Sequence, residues 1–262
     1  MKPTSDSQPL FNFKKAMLLP AVLGAALSLG ATTANAQEVL KAGGTPSGIP
    51  FTFLDVQTNE ITGAMVDLVN ALGEDMGYEV TIQESQFNAL IPSLTAGHID
   101  IISAAMLKTE ERAKQVAFSD DVYPYGEGVV THQDYDGEIN TLEDLSGEVT
   151  GAQVGTTYVE QLNNMGIFPE IRNYDSWADM MRDISLGRIV AGVDDAPIMS
   201  YHLSQDRFPE LQLADNYEQE MVGHIGFAVD QENTELLEQV NTSLAHLKEN
   251  GTLDAIFEEW GL

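Results

Sequence analysis

Cysteine is absent from all 262 residues, which excludes disulfides, thiolate metal sites and a cysteine nucleophile. A lipid-modified N-terminal cysteine is excluded with them. Cations are scarce: 12 Lys and Arg stand against 41 Asp and Glu, a formal net charge of −29. So much negative charge repels nucleic acid and anionic membrane, and neither is expected as a partner. Self-repulsion of this size is costly in dilute buffer and weak in salt, because the screening length shrinks to about 3 Å at 1 M. A salty, halophilic habitat is one reading of that balance, and an ordinary acidic secreted protein is the other. The five histidines, His98, His132, His202, His224 and His246, are scattered without metal-ligand spacing, and no nucleophile motif appears. No cofactor, no metal and no enzymatic chemistry are expected.

Long apolar runs are equally rare. One stands out, AMLLPAVLGAALSLGA at 16–31, preceded by Lys14 and Lys15 and followed by the small-residue site Ala34-Asn35-Ala36. Positive flank, short apolar core and small residues before a cut form the layout of a secretory signal peptide, so residues 1–36 are expected to be removed on export. A membrane anchor is the weaker alternative, since Pro20 and Gly24 interrupt a run that is short for a span. Removal leaves 226 residues from Gln37 onward with a charge of −31, enough for two small lobes. A freely diffusing periplasmic protein, without direct membrane anchoring and monomeric, is the expected product.

From Gln37 the apolar pattern alternates between periods of two and of 3.6 residues. EVLKAGG reads as a buried strand, and Met65, Leu68, Val69, Leu72 and Met76 recur at helical spacing until Gly77. YEVTIQE then reads as a strand, NALIPSLTA as a helix and IDIISAAM as a strand. The second half repeats this order with GEVTGAQVG, TTYVEQLNNMG, SWADMMRDISLG and RIVAGVDD, and the chain ends in HIGFAVD followed by two helices. Alternating strands and helices predict an α/β fold with mainly parallel sheets. LTAGHIDIIS and ISLGRIVAGV resemble one unit used twice, suggesting two lobes of like design. EGVVTHQ and HIGFAVD are expected to form a two-strand hinge. That puts 37–130 and 224–262 in lobe 1, 131–223 in lobe 2, and a ligand in the cleft between them.

The few cations cluster. AAMLKTEERAKQVAFSD at 104–120 holds Lys108, Arg112 and Lys114, with Thr109 placed to cap a helix at the carboxyl edge of the first sheet, where α/β folds hold ligands. Arg112 there can hold a carboxylate bidentately together with the helix N-terminus. Its bland alternative is an exposed arginine paired with Glu110 or Glu111. Lys108 and Lys114 read as solvated helix-end charges that raise the local potential.

The order Asp100, Ile102, Met106, Thr109, Glu111, Arg112, Val116, Phe118, Ser119, Tyr123 resembles the signature of the family 3 extracellular solute-binding proteins, receptors of ABC importers for polar amino acids. Further matches are ITGAMVDL at 61–68, LIPSLTAGHID at 90–100, LEDLSG at 142–147, QVGTTYVEQL at 153–162 and GRIVAGVDDAP at 187–197. The resemblance implies the two-lobed type II periplasmic binding protein fold, a small zwitterionic ligand and a membrane permease as partner. It makes Arg112 the carboxylate clamp, turns Ala105 backbone groups to the ligand, and gives Thr156 and Thr157 as the second lobe's carboxylate donors. Asp195 becomes the ammonium acceptor, with Phe51 (or Phe53) and Phe87 as aromatic walls. Bland alternatives stand beside these: a Thr157–Glu160 capping box, an aspartate that only starts the helix at Pro197, and phenylalanines that are simply core.

Two departures bear on the ligand. Leu107 stands where many relatives carry a hydroxyl, while Gly48 stands where the ectoine-binding branch is expected to carry an acidic partner for the ring nitrogens and so counts against that branch. With Phe51 and Phe87, Leu107 could enclose a compact cation, similar to the branch that binds ectoine and hydroxyectoine; a polar amino acid is the alternative. Other readings of the same scaffold are an enzyme resembling cyclohexadienyl dehydratases and a stand-alone ligand sensor.

Overall fold

The computed structural model describes residues 37–262; the expected leader at 1–36 lies outside them. In chain order the elements are β1 (Glu38–Gly44), β2 (Ser47–Gly48), β3 (Thr52–Asp55), β4 (Glu60–Thr62), α1 (Ala64–Met76), β5 (Tyr78–Glu84), α2 (Leu90–Thr95), β6 (Ile101–Ile102), α3 (Glu110–Ala113), β7 (Val116–Phe118), β8 (Tyr123–Tyr125) and β9 (Glu127–His132). They continue as β10 (Thr150–Gln153), α4 (Thr157–Met165), β11 (Ile171–Tyr174), α5 (Trp177–Ser185), β12 (Ala191–Asp195), α6 (Ala196–Ser204), β13 (Leu211–Leu213), β14 (Gly223–Ile225), β15 (Ala228–Asp230), α7 (Thr234–Glu249) and α8 (Thr252–Glu259).

Two five-stranded sheets carry the molecule, in the orders β5-β1-β6-β15-β7 and β11-β10-β12-β9-β13. The first three strands of each run parallel, and the last two are returned to the sheet antiparallel or at its edge. The unit seen twice in the sequence occupies the same place in both: α2, Gly97 and β6 in the first, α5, Gly187 and β12 in the second. Both glycines adopt positive φ, +73° and +64°, to turn the helix end into the strand. The helical periodicity around Met65 is realised in α1, which buries Met65, Leu68, Val69 and Leu72 and stops at left-handed Gly77.

Three expected elements differ. The strand expected over 99–106 narrows to Ile101–Ile102, because the backbone leaves the sheet beyond Ser103 and passes through Ala105 at φ +50°. HIGFAVD is two strands: Gly223–Ile225 pairs with Tyr123–Tyr125, whereas Ala228–Asp230 returns to the first sheet. Ser119 forces the break, since its Oγ accepts from the Phe227 N–H while its own N–H donates to the Phe227 carbonyl. EGVVTHQ belongs to no hinge, as β9 pairs antiparallel with β12 inside the second sheet. The chain therefore crosses between sheets at Gly126, and residues 127–130 stand with the second sheet instead of lobe 1. The hinge pair is β8 with β14. Among the described residues no helix is long and apolar enough to cross a membrane.

Candidate functional site

The loop between β6 and α3 brings Ala105, Leu107 and Arg112 together. Thr109 caps α3, its hydroxyl accepting from the Arg112 N–H at 3.2 Å. This cap fixes the backbone of a helix only four residues long and with it the root of the arginine side chain. Arg112 is 8% exposed. Its Nη1 donates to the Leu107 carbonyl at 2.6 Å and its Nη2 to the Gly155 carbonyl, in the other lobe, at 2.9 Å. The guanidinium carbon lies 5.5 Å from the Phe87 ring centre. Among the described residues two of its five N–H donors are used in this way and three are left. Among the described residues neither Glu110 nor Glu111 pairs with it, and Glu111 pairs with Lys114 instead. Burial pulls the guanidinium pKa down, and the nearby Tyr125, Asp195 and Tyr158 push the other way. Lys108 is tied down, donating to the Ser119 carbonyl at 2.7 Å and to Asp121 at 2.6 Å.

Asp195 closes β12 and precedes α6. Its Oδ1 accepts from the Tyr158 hydroxyl at 2.7 Å and its Oδ2 from the Tyr125 hydroxyl at 3.0 Å. The Tyr125 oxygen also stands 2.7 Å from the Ala105 carbonyl, so one hydroxyl proton faces two acceptors. Desolvation lifts the Asp195 carboxyl to about 6, against the lowering effect of both tyrosine bonds and Arg112. Below about pH 6 a protonated Asp195 can donate to Tyr125, which then donates to Ala105; above it the carboxylate accepts from both tyrosines. Asp194 beside it is 1% exposed; its Oδ1 accepts from the Asp195 N–H at 2.8 Å, and its Oδ2 has no partner among the described residues. Burial first, and the charge of Asp195 second, hold it well above the usual carboxylate range.

The other sequence candidates sort differently. Phe51 is 1% exposed and packs on Tyr123 and Tyr125 at 6.0 and 5.6 Å between ring centres, one ring behind Ala105 and Asp195. Phe53 meets Trp260 edge-on. Leu107 is buried, its side chain against the hinge at Gly223. Thr156 turns both N–H and hydroxyl to the Gln153 carbonyl, at 3.2 and 2.7 Å. Thr157 opens α4, so its N–H is one of the unsatisfied first-turn donors. The Thr157–Glu160 capping box does not form, because the N-cap is Thr156. Sequence pattern alone does not single out Tyr125, Tyr158 or Trp177. Pro124 between two tyrosines marked a strand unable to sit mid-sheet, and that was the available signal for the hinge. A groove of about 600 Å³ lined by Asp55, Glu60, Asp67 and Glu84 lies at the β4 edge and contains none of these residues.

Comparison with known proteins gives this arrangement a context. Residues 40–262 match the model of the bacterial extracellular solute-binding proteins, family 3. The chain is similar to the putative ABC transporter arginine-binding protein 2 of Escherichia coli (strain K12), 33% identical and covering 93% of this chain and 98% of that one. Among solved structures it resembles an ancestral arginine-binding protein bound to arginine, TM-score 0.79 and 31% identity, covering 85% of this chain and 97% of the other. It also resembles an ancestral amino acid-binding protein described as a precursor of cyclohexadienyl dehydratase, TM-score 0.77 and 28% identity, covering 85% and 95%. The architecture is that of the type II periplasmic binding proteins, and the chain belongs to the family 3 bacterial extracellular solute-binding proteins.

Proposed function

We propose that this chain is the periplasmic substrate receptor of an ABC importer and captures a small zwitterion carrying a carboxylate and an ammonium, an amino acid in the first instance. The observation that carries this reading is Arg112, buried, capped at its root by Thr109 and placed between the lobes with three N–H donors beyond those given to Leu107 and Gly155. A planar guanidinium so held suits bidentate recognition of a carboxylate. Asp195, with the Ala105 carbonyl beside it through Tyr125, offers acceptors for an ammonium. Phe87 provides one apolar face, and the N–H of Thr157 is the second lobe's candidate carboxylate donor.

Arginine is named for the Escherichia coli relative and for the ancestral structure, so it leads the list of amino acids to try. Ectoine and hydroxyectoine remain the second reading, favoured by the apolar Leu107 and opposed by Gly48, which leaves no carboxylate for the ring nitrogens at that position. Against them, Leu107 packs on the hinge and Phe51 lies behind Tyr125, which weakens the apolar cage that reading requires. Catalysis on this scaffold is the third, and turnover of prephenate by the pure protein would establish it.

Isothermal titration calorimetry with arginine, glutamine, ectoine and hydroxyectoine tests the proposal. One amino acid is expected to bind at micromolar strength, which corresponds to about 8 kcal/mol. Arg112→Ala is expected to lose at least 100-fold and Arg112→Lys more than tenfold, with the fold retained by circular dichroism. Wild-type affinity in Arg112→Ala would remove the arginine from the site, and binding of ectoine alone would replace the amino acid reading.

A further inference from the structure

Beyond the Tyr125–Asp195 bond at the hinge, the contacts between the lobes among the described residues include three more. Trp177 at the start of α5 donates its indole N–H to the Ser47 carbonyl of β2 at 2.7 Å. Arg112 donates to the Gly155 carbonyl at 2.9 Å. The third contact is steric. Gly155, at φ +87°, lies so close to Asn88 that a Cβ built on it would stand 2.8 Å from Asn88 Cα and 2.9 Å from Asn88 Cβ. Real Cβ atoms do not approach that closely, so any side chain at 155 keeps the lobes apart at this point.

Trp177 is set firmly. His202 of α6 stacks on its indole with ring centres 3.3 Å apart and planes at 23°, and Phe208 meets it edge-on at 6.0 Å. Ser176 caps the same helix, its hydroxyl accepting from the Asp179 N–H. The indole is 4% exposed, so its N–H reaches the other lobe from a packed platform, with little rotamer freedom left to lose when the bond forms. Separating the lobes would strip both the N–H and the Ser47 carbonyl of this partner.

We infer that Trp177, seated on His202, is a latch between the lobes, and that Gly155 against Asn88 is the stop on which they close. Both are positioning residues: they set how long a ligand is retained without touching it. This rests on the cleft being the binding site proposed above. A latch adds only to the closed form, so it shifts the open–closed balance and slows ligand escape, and whatever fraction of the free protein it closes is withdrawn from capture.

The test uses the full chain with Trp260→Phe, which makes Trp177 the sole tryptophan of the two in the sequence. Trp177→Phe keeps the ring and removes the N–H. It is expected to release the bound amino acid roughly two- to tenfold faster in stopped flow, the range of one net hydrogen bond, with association no slower than in the parent. Small-angle scattering should give this variant, free of ligand, a larger radius of gyration than the parent. Gly155→Ala is expected to keep the lobes apart even with excess ligand and to shift Trp177 emission to the red. Unchanged release and radius in Trp177→Phe, or normal closure of Gly155→Ala by scattering, would overturn the latch and the stop respectively. If no amino acid binds the parent, the function proposed above fails, while the radius of gyration of the ligand-free variants still decides the latch. If Trp177→Phe does not fold, Gly155→Ala and the emission shift decide it.

Discussion

At the residue scale, the groups of greatest consequence are buried ionisable side chains held away from their ordinary titration. His202 is 5% exposed, neither ring nitrogen has a partner among the described residues, and burial brings its pKa down to about 3. From pH 6.5 down to 3 the unfolded chain therefore takes up a proton that the folded chain refuses, and stability falls with pH by up to about 1.4 kcal/mol per unit. Asp195 acts in the opposite sense. With its carboxyl lifted to about 6, the folded chain holds the extra proton between pH 6 and about 4, so its contribution is full in acid and lost as pH rises through 6. Replacing His202 by Phe keeps the ring stacked on Trp177 and deletes only the histidine's contribution. The stability of His202→Phe relative to wild type should improve by about 2 kcal/mol between pH 8 and pH 5, as read by urea unfolding at the two pH values. A difference independent of pH would mean that His202 titrates normally in the folded chain.

At the scale of elements, what was legible in the sequence was what repeats. The helical spacing of Met65, Leu68, Val69 and Leu72, the paired glycine-closed units and the strands YEVTIQE and RIVAGVDD all appear where periodicity put them. What was not legible depends on contacts distant in sequence. HIGFAVD alternates well enough to pass for one strand, and only Ser119, more than a hundred residues earlier, bonds the backbone at Phe227 and splits it. Val116–Phe118 and Ile171–Tyr174 are edge strands too short to carry a period of their own. At the proposed site, motif order points to Arg112 and Asp195 as candidates, whereas Tyr125 and Tyr158 join Asp195 only through folding. The short helix α3 gives a prediction at this scale. Thr109→Ala should cost about 1 kcal/mol of stability and, by loosening Arg112, weaken amino acid binding several-fold, while Thr109→Ser restores both; chemical unfolding and calorimetry check the two effects. Lost stability with unchanged affinity would separate the cap from the arginine.

At the scale of the whole molecule, a formal charge of −29 sets the terms on which the fold is stable. The few cations are largely committed, Lys108 to Asp121, Lys114 to Glu111, and Arg172 and Arg188 to Asp183, and the excess carboxylates repel one another across the surface. Screening relieves that repulsion, so the thermal midpoint should rise by several degrees between 10 mM and 1 M sodium chloride, as followed by calorimetry; a flat profile would mean that the charges are already dispersed beyond mutual reach. The hinge has its own consequence. The Lys108 N–H donates to the His224 carbonyl at 2.9 Å, and Leu107 bridges to Ile225, so the segment before Arg112 is joined to the β14 strand as a third rail. Arg112 holds on to that rail through the Leu107 carbonyl. In mechanical terms the guanidinium is mounted at the fulcrum of a lever. On the function proposed above, a ligand gripped there would be displaced least for a given angle of swing, so the first hold would survive the whole stroke and the travel would be left to the opposite jaw.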